Sequence, residues 1–576
     1  MTIPCSLRWM ILALCSLLGL TIGCGRVSRA ETSVATLLPA EAEVAMTGPG
    51  LSSLFDHFSV TATSVLGRPV PAAEWAERIG FNPLVLTEWA ERGLDTGRPL
   101  GLGGSKPRSG PDGGWHGAVL LCLPATDGKK ARAAAEALVN QSLPDAVVSV
   151  EGPFFRFAEA SKGLQGAIAA RDGYLLAALG RADGVMPLIR AAMAGETPLA
   201  SVSGFQRSRK RMPDRDLRIF IDFEPFRRRM EAGVGAMAVP FLNEESARQL
   251  RRAATDYRWA GAALDLAPSD LTVHAVLALR ADSPTRRMMV AEPPGGRAPL
   301  LAVPSPPLFL SIGAMDPPAY LETLRAEMAP EERKSFDARL GAMGETWGID
   351  MKRELIGNLT GGFGVGFYDG LSLNMANYNT LLSAGVRDSD MARRTLASVV
   401  GRLAERGGVT VTETRVGETD AVAISVMGFL QLFAGVDGDR LLISVGRRMF
   451  QEAVAGGEPA PPADPAVAQS LKEDPGVFFL GVGELLKAAR NFSFLLTQLN
   501  RGRPVDFAAL APLEQLRYVM AGARPEGDLV TGEFRVGTRF SQPFFKGLRE
   551  VTDALAAARG AAVPGATRPD PSAHSE

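Results

Sequence analysis

Cysteine and histidine are scarce in this 576-residue chain, with four of each. Cys5 and Cys15 fall in an amino-terminal segment expected to be removed, which leaves Cys24 and Cys122 and excludes a disulfide framework. His57, His116, His274 and His574 stand in no His-Glu-x-x-His spacing, and no Cys-x-x-Cys occurs, so a metal site built on several histidines is hard to assemble. A Gly-x-Ser-x-Gly elbow is missing too, so a serine hydrolase has no visible nucleophile. Charge of one sign is absent: 62 Lys and Arg against 63 Asp and Glu leave a net charge of −1. No global field therefore favours nucleic acid or an anionic surface.

The amino terminus decides the expected compartment. Arg8 precedes an apolar stretch from Trp9 to Ile22, and small Gly23 stands just before Cys24. The stretch covers roughly 14 residues, or about 21 Å of helix, short of the ~30 Å needed to span a bilayer. Residues 1–23 are read as a signal peptide. Leu20-Thr21-Ile22-Gly23-Cys24 resembles the lipobox of bacterial lipoprotein precursors, with Thr21 where that family usually carries Leu. The resemblance implies that Cys24 is lipidated and becomes the first residue of the mature chain. It further implies attachment to a membrane through acyl chains, in the cell envelope. Gly25 in place of Asp implies the outer membrane, facing the periplasm. Residues 24–36 are expected to form the tether.

At this length more than one core is expected, and the sequence repeats itself at an offset of about 260 residues. Asp127-Gly-Lys-Lys-Ala131-Arg132 recurs as Asp388-Ser-Asp-Met-Ala392-Arg393. In the second copy Leu396, Val399, Val400 and Leu403 mark one face of a helix capped by Asp388 or Ser389. Asp172-Gly173 and Asp437-Gly438 separate apolar runs and predict hairpins, because Gly tolerates the positive φ of a tight turn. Leu217 to Glu224 answers Val477 to Glu484, each followed by a short helical pattern, and Asp270-Leu271 answers Asp528-Leu529. Val530, Phe534 and Val536 alternate with Thr531, Glu533 and Arg535, the period of a half-buried strand.

These recurrences predict an α+β fold of two tandem duplicated halves, each a largely antiparallel sheet with helices on one face. The first half is expected at 37–290, a Pro/Gly-rich linker at 291–307, the second half at 308–558 and a disordered tail at 559–576. Phe544, Phe545, Leu548, Val551 and Leu555 predict a closing helix. The layout resembles exported bacterial proteins of an uncharacterised tandem α+β domain family. That resemblance implies no known activity and supplies no catalytic residue.

The remaining features have ordinary readings. Cys122 lies in the apolar run Ala118 to Leu123 and reads as a small buried hydrophobe. Gly361 to Phe367 lacks the Lys-Ser/Thr of a phosphate-binding loop and reads as a strand. Arg207, Arg209, Lys210, Arg211 and Arg227 to Arg229 read as solvated faces. No cofactor or metal is expected. The function expected is that of a non-enzymatic, lipid-anchored envelope protein that binds or scaffolds another envelope protein. The alternatives are a periplasmic carrier of lipid or another apolar ligand, and an exported hydrolase without a motif.

Overall fold

The computed structural model describes residues 34–52, 85–104, 108–109, 115–181, 184–213, 217–231, 253–267, 270–289, 298–301, 303, 307–368, 379–405, 407–426, 430–456, 465–491 and 511–538. The signal peptide, Cys24, His57, the closing helix at 544–555, His574 and the tail lie outside the described residues.

In chain order the strands are β1 (Val44–Gly48), β2 (Leu100–Gly104), β3 (Arg108–Ser109), β4 (Trp115–His116), β5 (Ala118–Pro124), β6 (Val147–Glu151), β7 (Phe154–Glu159), β8 (Leu164–Arg171), β9 (Tyr174–Arg181), β10 (Leu217–Asp222), β11 (Tyr257–Ala267) and β12 (Asp270–Leu279). They continue as β13 (Pro307–Ala314), β14 (Leu359–Tyr368), β15 (Thr380–Val386), β16 (Val409–Val416), β17 (Thr419–Val426), β18 (Leu430–Asp437), β19 (Arg440–Val445), β20 (Gly476–Leu480), β21 (Leu516–Glu526) and β22 (Leu529–Thr538). Twenty of them form one antiparallel sheet, and β3 pairs with β4 apart from it. Followed from neighbour to neighbour, the first flank runs β6-β7-β8-β9-β5-β2-β1-β10-β11-β12. The second runs β22-β21-β20-β13-β14-β15-β19-β18-β17-β16.

The expectation of two tandem duplicated halves, each with its own sheet and with helices on one face, is overturned. β12 pairs with β22 in unbroken register from Asp270↔Gly537 to Ala278↔Leu529, so the sheet runs from β6 to β16 without a seam. The physical reason is edge chemistry. An unpaired strand leaves a row of N–H and C=O groups unsatisfied, and two closing strands with apolar rows on the same side satisfy each other. The segments that recur in the sequence occupy matching places within this single sheet.

The helices lie on both faces. α1 (Gly128–Ser142) and α5 (Ser389–Ala404) cover outer strands on one face, here the front. Asp127 caps α1 by accepting from the Lys129 and Lys130 amides at 3.0 Å, and Asp388 caps α5 by accepting from the Met391 amide at 2.8 Å. On the back lie α2 (Val185–Ala194), α3 (Ser203–Arg211), α6 (Arg447–Ala455) and α7 (Pro465–Glu473). α4 (Glu224–Glu231) and α8 (Val482–Asn491) follow β10 and β20. Val34, Leu37 and Leu38 are buried on the back, where Val34 and Leu38 pack over Gly101 and Gly103. Leu300 and Val303 are buried in the core of the second flank.

The hairpins form, with one difference in position. Asp172 (φ 52°) and Gly173 (φ 73°) are the two turn residues between the Arg171↔Tyr174 pair. In the other hairpin Asp437 already pairs with Arg440, so Gly438 and Asp439 make the turn. Two helices approach the sheet through glycine. A side chain on Gly261 of β11 would overlap Ser208 of α3, and one on Gly522 of β21 would overlap Ser470 and Asp474 beside α7.

Candidate functional site

Side chains alternate across a strand and paired residues share a face, so the registers assign every strand residue to front or back. At the centre of the sheet the front receives Val44 and Met46 from β1, Ile219 and Ile221 from β10, and Ala260 and Ala262 from β11. Across the β12/β22 pair come Val273, Ala275 and Leu277 against Phe534, Gly532 and Val530. β21, β20 and β13 add Ala521, Phe478 and Phe309. From β2 to β14 the residues that the ladder places on the front carry no charge; Ser311 and Thr538 are polar.

Many of these side chains are half-buried, among them Val44, Met46, Leu277, Phe534, Val536, Phe478 and Phe309. Toward both flanks the apolar front opens to solvent. Val119 (43% exposed) pairs across β5 and β9 with Leu179 (45%), while Phe367 (39%) and Leu382 (38%) stand on β14 and β15. Phe309 packs against Phe367 with ring centroids at 5.5 Å and against Phe478 edge to face at 5.7 Å. β5 and β15 are eleven strand steps apart, so the uncharged band is on the order of 53 Å along the sheet. Within that band Ile219, Ala262, Val273, Ala275 and Val530 are buried, so the apolar front meets solvent chiefly at its two flanks.

The back of the same central strands is largely apolar core, with Phe220, Trp259, Ala263 and Val276 buried, but the β12/β22 pair carries a polar seam there. His274 Nδ1 lies 3.1 Å from Glu533 Oε2, its cross-strand partner on β22. Arg535 donates to Glu533 Oε1 at 2.6 and 2.9 Å, with Asp270 3.9 Å away. Asp528, at the turn before β22, accepts from Arg207 of α3 at 2.7 and 3.1 Å and also from Arg258. The hydrogen bond from Arg207 is the main cause holding the Asp528 carboxyl below the usual carboxylate range. Arg211 pairs with Glu526 at 2.7 Å, and Arg227 pairs with Glu224 and Glu231. Arg207, Arg211 and Arg227 are thus engaged by carboxylates, and the pairs of Arg207 and Arg211 stitch α3 to the β21/β22 turn.

Each residue singled out in the sequence can now be placed. Cys24 lies outside the described residues. Cys122 is fully buried on the back of β5, and burial pushes its thiol up to about 12. His116 lies on β4, far in sequence from His274 on β12. Gly361 to Phe367 falls within β14, where a side chain on Gly364 would meet Ser311 O at 2.6 Å. Among the described residues no group of three or more His, Cys, Asp or Glu could hold a metal, and no helix is long and apolar enough to cross a membrane. Sequence reading missed the extent of the front. Its signal is the Leu-x-Leu or Val-x-Ala alternation in strand after strand, as in Leu100/Leu102 and Val519/Ala521/Ala523, but alternation within one strand does not say which rows adjoin.

No family model and no curated protein matches the chain. Among solved structures it is similar to TP0453. Crystal form III aligns at TM-score 0.25 and 10% identity, over 43% of this chain and 80% of that one. Crystal form I aligns at TM-score 0.24 and 7% identity over the same shares, and form IV at TM-score 0.24 and 9% identity over 42% and 79%. A likeness of that size does not extend to fold or function.

Proposed function

We propose that this chain is a non-enzymatic cell-envelope protein, anchored through acyl chains on Cys24, that binds an apolar ligand such as lipid acyl chains on the front of its sheet. The observation that carries the reading is the uncharged band across the central strands, open at Val119/Leu179 and at Phe367/Leu382. Each CH₂ group transferred from water to such a surface contributes about 0.8 kcal/mol, so one acyl chain supplies enough free energy for specific capture. An outer-membrane location facing the periplasm suits this role. Val34 is buried in the body. A segment from Cys24 to Val34 can span at most about 36 Å, so an anchor at Cys24 would hold the body near the bilayer.

The test is binding of a fluorescent fatty acid to the purified chain, together with mass spectrometry of lipid extracted from it. Leu179→Asp and Phe367→Asp place a charge on the exposed parts of the band and are expected to weaken probe binding about tenfold or more. Absence of both co-purified lipid and probe binding would refute the reading and favour a protein partner instead.

A further inference from the structure

The sheet ends in two edges of unlike chemistry. β16 closes one side, with Thr410, Thr412, Glu413 and Arg415 exposed, and charged side chains on an edge oppose the addition of another strand. β6 closes the other with Val147-Val-Ser-Val-Glu151. Val147 is 76% exposed, Val148 46% and Val150 68%, and among the described residues β6 pairs with β7 alone. Its one charged residue, Glu151, is already held by Arg156 at 2.5 Å and by Arg190 of α2 at 2.7 Å.

The registers place Val148 opposite Phe157 and Val150 opposite Phe155. Those rings are buried under α1, so the two valines prolong the apolar row of the front beyond its cover. Exposed β-branched side chains beside unpaired backbone groups form a template for strand addition.

We propose that β6 is a self-association strand, through which two copies of this chain join edge to edge, antiparallel, about a two-fold axis at Ser149. In that register Val148 of each copy lies opposite Val150 of the other, giving two Val–Val pairs on the front. The two Glu151 carboxylates fall at opposite ends of the paired segment, about 14 Å apart along the strands, so like charges do not meet. A second copy fits better than the other edge of the sheet. Pairing β6 with β16 would set valine against Thr, Glu and Arg and leave a free edge of each kind, an open fibre, whereas β6 with β6 closes. Five residues a side bury less than the roughly 1,200 Å² of a standard stable interface, so the dimer is weak and concentration-dependent.

The experiment introduces Ser149→Cys into the full chain and treats it with a short bismaleimide, with dimer yield on denaturing gels read against the parent chain. Residues at the axis face each other directly, so Ser149→Cys is expected to raise the covalent dimer several-fold, and Thr412→Cys on β16 is expected not to. Adding Val148→Lys and Val150→Lys to the Ser149→Cys chain should return the yield to the parent level, with circular dichroism confirming the fold. No dimer above the parent level, equal dimer from Thr412→Cys, or dimer that survives both lysines would overturn the proposal.

Discussion

Replacing Gly261 with alanine tests how α3 is seated on the sheet. The added methyl would overlap Ser208 Oγ, with Ser208 Cβ and Met212 Cε each 3.1 Å away. Ser208 is 1% exposed and Phe205, one turn earlier, 6%, so the helix has no slack on that side. Overpacking of this kind costs about 1–3 kcal/mol. Against it, alanine restricts the unfolded chain and recovers roughly 0.4–1 kcal/mol. A net loss of about 1–2 kcal/mol is expected. Ser208→Gly removes the clashing atoms and by itself costs about 1 kcal/mol as a helix-interior glycine. The double variant should therefore be more stable than the two losses added together, by about 1 kcal/mol or more, because the residues touch. Guanidinium unfolding followed by tryptophan fluorescence measures this; Trp259 on β11 is 6% exposed and reports on the same contact. Gly261→Ala within about 0.5 kcal/mol of the parent, or losses that simply add, would refute the seating of α3 on β11.

Asp528→Asn removes the carboxylate that joins Arg207 and Arg258, and two half-exposed ion pairs predict a loss of about 1 kcal/mol near neutral pH. Because the folded state lowers the Asp528 pKa, its stabilisation is present above the unfolded value of about 3.9 and fades as pH falls through that value toward the folded one. Denaturation midpoints of parent and variant should accordingly converge in acid, and a gap that widens below about pH 4 would contradict the ion pair. The Cys122 thiol, fully buried and pushed up to about 12, should resist maleimide at pH 8 in the folded chain and react once denaturant is added. Rapid labelling of Cys122 under native conditions would contradict the packing of β5.

Local elements were readable from residues alone wherever a short-range rule governs them. Asp127 and Asp388 cap helices because a carboxylate can reach the free amides two or three residues ahead. Asp172-Gly173 turns a hairpin because both residues tolerate positive φ, yet the same dipeptide at 437–438 sits one place off, since pairing of Asp437 with Arg440 decides that register. His274 alternates along its strand as read, but nothing nearby in sequence reveals Glu533 as its partner. The basic runs show why composition misleads: Arg207 and Arg211 look free until Asp528 and Glu526, more than 300 positions later, come to meet them.

Strand alternation and helix caps are consequences of short-range chemistry, and the apolar run around Cys122 and the recurrence at long offset can be read in the chain alone. Assembly into a single sheet is another matter. It depends on β12 finding β22 rather than water, a competition between two edges that lie far apart in the chain. That one pairing turns separate apolar rows into a continuous band and sets a polar seam behind it. The apolar front thus arises from contact between strands, and no single stretch of sequence contains it.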